Sequence, residues 1–351
     1  MRRVAYFPQD RLGDALVDIG QLPALRRIYA PCEITAFCTA KTQELFRCLS
    51  WCDCVEVYGE EAWPAEQRAA FGEFEAAFNT RHDRDAFERC AALRAEARYG
   101  YETSEVPEEL CRKGYTAYLP LSMWDDTELR WHTSVSEQGA ALVRLVDAGF
   151  HIDFPRLGLG DFRVDFPADR PPWQGGKTVL FVPGAGTAEK RWPMERFLEL
   201  ARYARGEGWS VVFQTGPCER DLGRQAADAG FAVCDTPSLA RMAGQMLLAW
   251  CVAGNDTGPM HLAAMLGIPT LTLHFHGSGE TWFPYGSDER AEHVALSPGC
   301  ARARCPDRCR EAASCGKRIP FGTVEAAWKA LCEGERNLKR KTTNKRSKSP
   351  C

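Results

Sequence analysis

Three short stretches of this 351-residue chain gather residue types that can handle a phosphorylated ligand and a hydroxyl nucleophile. The first is Pro183-Gly184-Ala185-Gly186-Thr187, with Lys190 and the Trp192-Pro193 step just beyond it. Glycine lets backbone amides approach an anion closely, Thr187 offers a hydroxyl, and Lys190 supplies a point charge for phosphate. The second is Asn255-Asp256-Thr257-Gly258-Pro259-Met260-His261. An Asp256 or Thr257 that merely caps a helix accounts for one polar residue there, but not for Asp, Thr, Gly and His packed together. The third is Leu12-Gly13-Asp14, whose carboxylate can serve as a general base toward a hydroxyl or cap a helix.

Two further groups invite metal readings. Cys300, Cys305, Cys309 and Cys315 lie between Pro298 and Gly316, and four thiols in a loop-rich stretch can hold one structural zinc or iron. Their spacing lacks the paired C-x2-C form, so buried reduced thiols are the plainer alternative. Asp83-Arg84-Asp85 resembles a metal-binding acidic pair, but in a charged helical stretch a solvated surface is the stronger expectation.

The elements that must position these residues follow from apolar runs and breakers. Val4–Phe7, Glu33–Cys38 and Cys54–Tyr58 read as strands, with helices expected over Ala15–Tyr29 and Lys41–Leu49. Charged helical stretches over Glu66–Arg98 are expected to be interrupted by a strand at Glu75–Asn79, and another strand is expected at Tyr115–Leu121. The alternation restarts cleanly at Thr178–Val182 and runs through strands Ser210–Gln214, Phe231–Cys234, Cys251–Gly254 and Thr270–His274, separated by helices. Alternating strand and helix predict parallel sheets with covering helices, in which ligands bind outside the carboxyl ends of the strands. All three chemistry-bearing stretches fall in such loops.

Residues 154–176 are rich in Pro and Gly and read as a linker signature. The expected organisation is therefore a Rossmann-like domain over 1–155, a linker over 156–176, a second Rossmann-like domain over 177–335 and a basic disordered tail over 336–351. The tail holds seven Lys and Arg and no acid, so residues 1–335 carry a charge of −10 beneath an overall −3. An acidic body argues against a nucleic-acid-binding module built from the cysteines and the tail. No run approaches the ~20 apolar residues needed to span a bilayer, and Asp10, Arg11 and Asp14 interrupt the region where a secretion signal needs its apolar core. A cytoplasmic protein with mostly reduced cysteines is expected.

Taken together, the motifs resemble the glycosyltransferase family 9 heptosyltransferases, which use ADP-heptose in building the lipopolysaccharide inner core. The resemblance rests on Leu12-Gly13-Asp14 with Leu22-Pro23-Ala24-Leu25, on Pro183-Gly184-Ala185 with Lys190-Arg191-Trp192-Pro193, and on Asn255 through Ala264 followed by Leu266-Gly267-Ile268-Pro269. It implies an α/β fold of GT-B architecture, two Rossmann-like domains facing across a cleft, with an N-terminal acceptor domain and a C-terminal nucleotide-sugar domain. It implies an inverting transfer without a catalytic metal or other required cofactor. Asp14 matches the family's base, Thr187 and Lys190 its diphosphate region, Asp256, Thr257 and Gly258 its donor loop, His261 that loop's histidine, and Glu219 the region of its ribose-binding acid.

The expected function is transfer of heptose from ADP-heptose to a lipopolysaccharide core or lipid A-linked acceptor, with peripheral contact to the inner membrane through the tail and no nucleic-acid partner. Alternatives are a protein O-heptosyltransferase of the same family and a non-catalytic nucleotide-sugar-binding protein. The chain departs from the family in having Phe7-Pro8-Gln9-Asp10 where some members carry a lysine, which leaves Arg11 as the nearest cation in sequence.

Overall fold

The computed structural model describes residues 1–121, 135–151, 156–167, 177–275, 293–298, 315 and 318–332. Residues 1–163 contribute to one compact unit, and the described residues from Val164 onward to a second.

The first unit is built on β1 (Arg2–Phe7), β2 (Cys32–Cys38), β3 (Cys54–Val57), β4 (Glu73–Asn79), β5 (Arg94–Tyr101) and β6 (Ala117–Leu119). They pair in the order β3-β2-β1-β4-β5-β6, every neighbour parallel. Central β1 is buried over Val4–Phe7, as an apolar run covered on both faces must be. Phe7, Phe37, Phe74 and Trp63 fill one side of this sheet.

The second unit repeats the plan with β7 (Thr178–Val182), β8 (Ser210–Thr215), β9 (Ala232–Asp235), β10 (Cys251–Asn255), β11 (Thr270–Leu273) and β12 (His293–Leu296). Their order is β12-β11-β10-β7-β8-β9, again parallel throughout. Its core gathers Phe181, Phe197, Phe213, Trp192, Trp209 and Trp328, the last from the helix over 321–332. In both sheets the first strand in chain order lies beside the fourth. The connections therefore diverge between β1 and β4, and between β7 and β10, and each divergence opens a crevice at the carboxyl ends.

Part of the Pro- and Gly-rich stretch is anchored to each unit. Arg163 N donates to Cys48 O at 2.8 Å within the first, and Asp165 N donates to Ala240 O at 2.9 Å within the second. Gly244 is needed at the second anchor because a Cβ there would overlap the Asp165 carbonyl.

Two local readings change. The single helix expected over Ala15–Tyr29 is a helix Leu12–Asp18, a 3-10 turn Ile19–Gln21 and a second helix Leu22–Ile28. Pro23 explains the break, since it removes an amide donor and its ring would crowd the carbonyl four residues back, whereas in the first turn of a new helix it fits. The helical reading up to Arg98 gives way to β5, whose Arg-Ala-Glu-Ala-Arg sequence alternates with period two along a pleated strand.

Candidate functional site

The crevice between β7 and β10 is held closed at its floor by one side chain. Asn255, the last residue of β10, is fully buried. Its Nδ2 donates to Pro183 O at 2.7 Å, and its Oδ1 accepts from Trp192 N at 2.9 Å. Both ends of the 183–192 loop thus hang from one amide. Immediately before it, Gly254 admits the close approach of β7, since a Cβ would come 2.5 Å from Val182 O. Inside the loop, Arg191 donates to Ala185 O at 2.9 Å, while Thr187 is exposed and opens the 3-10 turn Ala188–Lys190. Lys190 closes that turn and is half-buried.

Glu219 reaches the same loop from the neighbouring strand. It follows β8, and its Oε2 accepts from Gly216 N at 2.9 Å. The carboxyl group packs so tightly on Gly184 that a Cβ at that position would overlap it. Sequence spacing alone left the register of Glu219 open; the fold sets it against the glycine turn.

Beyond Asn255 the chain enters the helix Gly258–Met265, with Thr257 at the N-cap position and Pro259 in the first turn. The Thr257 hydroxyl donates to Asn255 O at 3.2 Å and does not cap the helix. An uncapped N-terminus of this kind presents amides and the positive end of the helix dipole to an anion. Asp256 turns inward. Its Oδ1 lies 3.4 Å from His261 Nε2 and its Oδ2 lies 3.5 Å from His274 Nδ1. Burial opposes the charge, but hydrogen bonding from His261 and His274 outweighs it and holds the carboxyl well below the usual range. His274 carries no motif of its own. It follows β11, and because Asn255 pairs with Leu273 in the parallel ladder, the next residues, Asp256 and His274, fall side by side.

Asp14 belongs to the first unit. It sits in the first turn of the helix Leu12–Asp18, with Arg11 at the N-cap position, so it is not itself the N-cap. The loops around it contain cations that sequence proximity did not reveal. Asp10, after β1, pairs with Lys41 after β2 at 2.8 Å and with Arg81 after β4 at 3.7 Å. Burial works against its charge, but Lys41, Thr39 and Arg81 hold its pKa below the ordinary value. The Asp83/Asp85 pair is engaged as structure: Asp83 caps the helix Arg84–Ala92 at Ala86 N and meets Arg81 at 2.6 Å, while Asp85 meets Arg89 at 2.9 Å.

Residues 151–306 match the family model Glycosyltransferase family 9 (heptosyltransferase). That match covers under half of the chain and marks a likeness to the family. Over 128 residues it is 38% identical to lipopolysaccharide heptosyltransferase 1 of Pseudomonas aeruginosa, an alignment covering 35% of this chain and 36% of that protein. The chain thus spans about a third of the length of the curated relatives it matches. Likeness of fold extends much further. The structure of E. coli heptosyltransferase WaaC with ADP superposes with a TM-score of 0.70 at 16% identity, covering 94% of this chain and 99% of that one. E. coli ADP-heptose lps heptosyltransferase II gives a TM-score of 0.71 at 17% identity, covering 96% and 100%. The expected α/β class and GT-B fold are borne out.

The stretch matched by the family model takes in Cys300 and Cys305, but Cys300, Cys305 and Cys309 lie outside the described residues. Cys315 is buried in the core of the second unit. Among the described residues no three His, Cys, Asp or Glu side chains gather as a metal site, and no helix is long and apolar enough to cross a membrane.

Proposed function

We propose that the chain is an inverting glycosyltransferase that moves a heptose from ADP-heptose to a lipopolysaccharide core or lipid A-linked acceptor. The observation that carries this reading is the meeting of three loops at the β7/β10 crevice, with Asn255 binding the glycine turn and Glu219 packed on Gly184. Lys190 and the amides at the start of the helix from Gly258 would neutralise the charge that grows on a departing diphosphate. Glu219 would accept from ribose hydroxyls, Thr187 would meet a phosphate oxygen, and Asp256, Thr257 and His261 would shape the loop against the sugar. Asp14, in the first unit, would take the proton of the attacking hydroxyl. Inversion requires attack opposite the leaving group, so a base on a different unit from the diphosphate loops suits that course.

The chemistry needs no cofactor. The four cysteines would form a closed structural zinc or iron site, and transfer would persist in excess chelator. The enzyme would work in the cytoplasm at the inner-membrane surface, the basic tail adding about 1 kcal/mol of attraction per basic residue near anionic lipid.

The test is transfer from ADP-heptose to a lipid A-linked core acceptor, run beside a protein acceptor and beside Asp14→Asn. The expected outcome is lipid glycosylation that falls by roughly 10²- to 10⁴-fold in the variant at unchanged donor affinity. Transfer to the protein acceptor alone favours protein O-heptosylation, and ADP-heptose binding without turnover marks a silent binder.

A further inference from the structure

The helix that carries Asp14 ends on a carboxyl group sealed from water. Asp18 is 2% exposed, and Tyr6, Gln21, Thr80 and Tyr101 around it are as deeply buried. Tyr6 Oη donates to Asp18 Oδ2 at 2.7 Å, Thr80 Oγ1 meets the same oxygen, and Gln21 Nε2 donates to Oδ1. Tyr6 belongs to β1 and Thr80 directly follows β4, so this carboxyl bridges the two strands between which the first unit's crevice opens. The helix Val135–Arg144 packs over the group with a glycine. A Cβ on Gly139 would overlap Gln21 Nε2 and lie 2.9 Å from Asp18 Oδ1.

The hydroxyl protons can be counted. Thr80 has one, and two acceptors within reach: Phe7 O at 3.0 Å and Asp18 Oδ2. If Asp18 is protonated, its O–H donates to Thr80 Oγ1, Thr80 donates on to Phe7 O, and Tyr6 donates to the carboxyl. Each contact then carries one proton. If Asp18 is ionised, Thr80 must turn its proton to the carboxylate, Phe7 O loses the hydroxyl, and a full charge sits in the interior.

We propose that Asp18, one helical turn beyond Asp14, is a positioning residue for that base: as a neutral acid it pins the helix to β1 and β4 through Tyr6 and Thr80, and its ionisation loosens the pin. The inference rests on the reading of Asp14 as the base. Burial pushes the Asp18 pKa up to about 7, while Thr80, Tyr6, Gln21 and the Gln9 backbone keep it from rising further. Among the described residues, Tyr6 from β1 and Tyr101 from β5 are titratable groups that face it. Glu137 and Arg144 of the overlying helix pair with each other at 2.6 Å. A group poised there changes state near neutral pH.

The experiment is kcat and donor KM against pH, over about pH 5 to 9, for the full-length wild type, Asp18→Asn and Tyr6→Phe, with Tm measured in the same buffers. In wild type, kcat should fall several-fold through an inflection near the Asp18 pKa while donor KM stays level. Asp18→Asn should hold its acid-side kcat across the range, because the amide Nδ2 donates to Thr80 as the protonated acid does. Tyr6→Phe removes a donor that favours the charged form, so its inflection should move to higher pH. Wild-type Tm should fall as pH rises from about 5 toward the Asp18 pKa and level off above it, a slope that Asp18→Asn lacks. The same kcat inflection in wild type and Asp18→Asn, or an unmoved one in Tyr6→Phe, overturns the inference alone. Absence of transfer by wild type at every pH overturns the glycosyltransferase reading instead, and the Tm slope still reports whether Asp18 titrates.

Discussion

Asn255 donates through Nδ2 to the Pro183 carbonyl at 2.7 Å, joining the end of β10 to the loop that leaves β7. Its Oδ1 takes the Trp192 amide at 2.9 Å, so a single side chain sets both the entry and the exit of the glycine turn. A buried amide with both ends occupied is costly to replace by anything of different polarity.

Asn255→Leu should therefore strand the Pro183 carbonyl and the Trp192 amide without partners, at about 1 to 3 kcal/mol for each group left unsatisfied. The expected result is a lower Tm together with weakened ADP binding. Asn255→Asp should be worse for binding, because a carboxylate oxygen would replace the donor that faces Pro183 O. Calorimetric titration with ADP and thermal unfolding of the two variants check this, and undiminished ADP affinity in both would separate the 183–192 loop from the nucleotide.

Gly184→Ala tests the contact between the glycine turn and Glu219, since the added methyl would overlap the carboxyl group. If Glu219 holds ribose hydroxyls, Gly184→Ala and Glu219→Gln should each weaken ADP by roughly tenfold or more. The double variant should be little worse than either single one, because both remove the same interaction. Additive losses would mean that the two residues act on ADP independently.

Lys190→Ala should cost about 1.5 to 3 kcal/mol of ADP affinity, the worth of a charge-assisted contact to phosphate. The loss should shrink as salt is raised, since screening already weakens the wild-type contact. Titrations at two ionic strengths distinguish a phosphate contact from a general loosening of the Ala188–Lys190 turn, which salt would not moderate.

The parts of this fold that were legible in sequence are those written in local pattern. Strands such as Thr178–Val182 are apolar runs because both faces are covered, and such a run reads the same in isolation as in the sheet. β5 was not legible, because its alternating Arg, Ala and Glu satisfy a charged helical pattern as readily as a period-two strand with one wet face. The candidate site divides along the same line. Gly184, Lys190, Asp256 and Thr257 sit in contiguous motifs, whereas the partners that fix them come from distant chain. Asn255 reaches back 72 residues to Pro183, and Arg81 meets Asp10 only because β1 and β4 are neighbours. His274 had one signal available: in a parallel pair the residues following matched strand ends lie together, and an Asp after β10 beside a His after β11 is such a pair.

That pair gives the second unit an acid sensitivity opposite in sign to the alkaline sensitivity of the first. The Asp256 carboxyl is depressed below its ordinary value of 3.8 by hydrogen bonds from His261 and His274 that outweigh its burial. A carboxyl whose folded-state pKa is depressed contributes stability that is present above its unfolded value and is lost as pH falls below it. Asp18 is raised to about 7, so its contribution is present in acid and is lost as pH rises through that value. Replacing His274 by Phe removes one of the two groups that stabilise the Asp256 charge and leaves the buried carboxylate with less support. His274→Phe should therefore lower Tm at neutral pH, and its Tm should fall less than that of wild type on acidification, because less stabilisation remains to be lost. His274→Asn, which keeps a neutral donor, should recover part of both effects. Tm measured from about pH 3 to 8 for the three proteins decides the point: a His274→Phe curve parallel to wild type throughout would show that the second imidazole does not support the Asp256 charge.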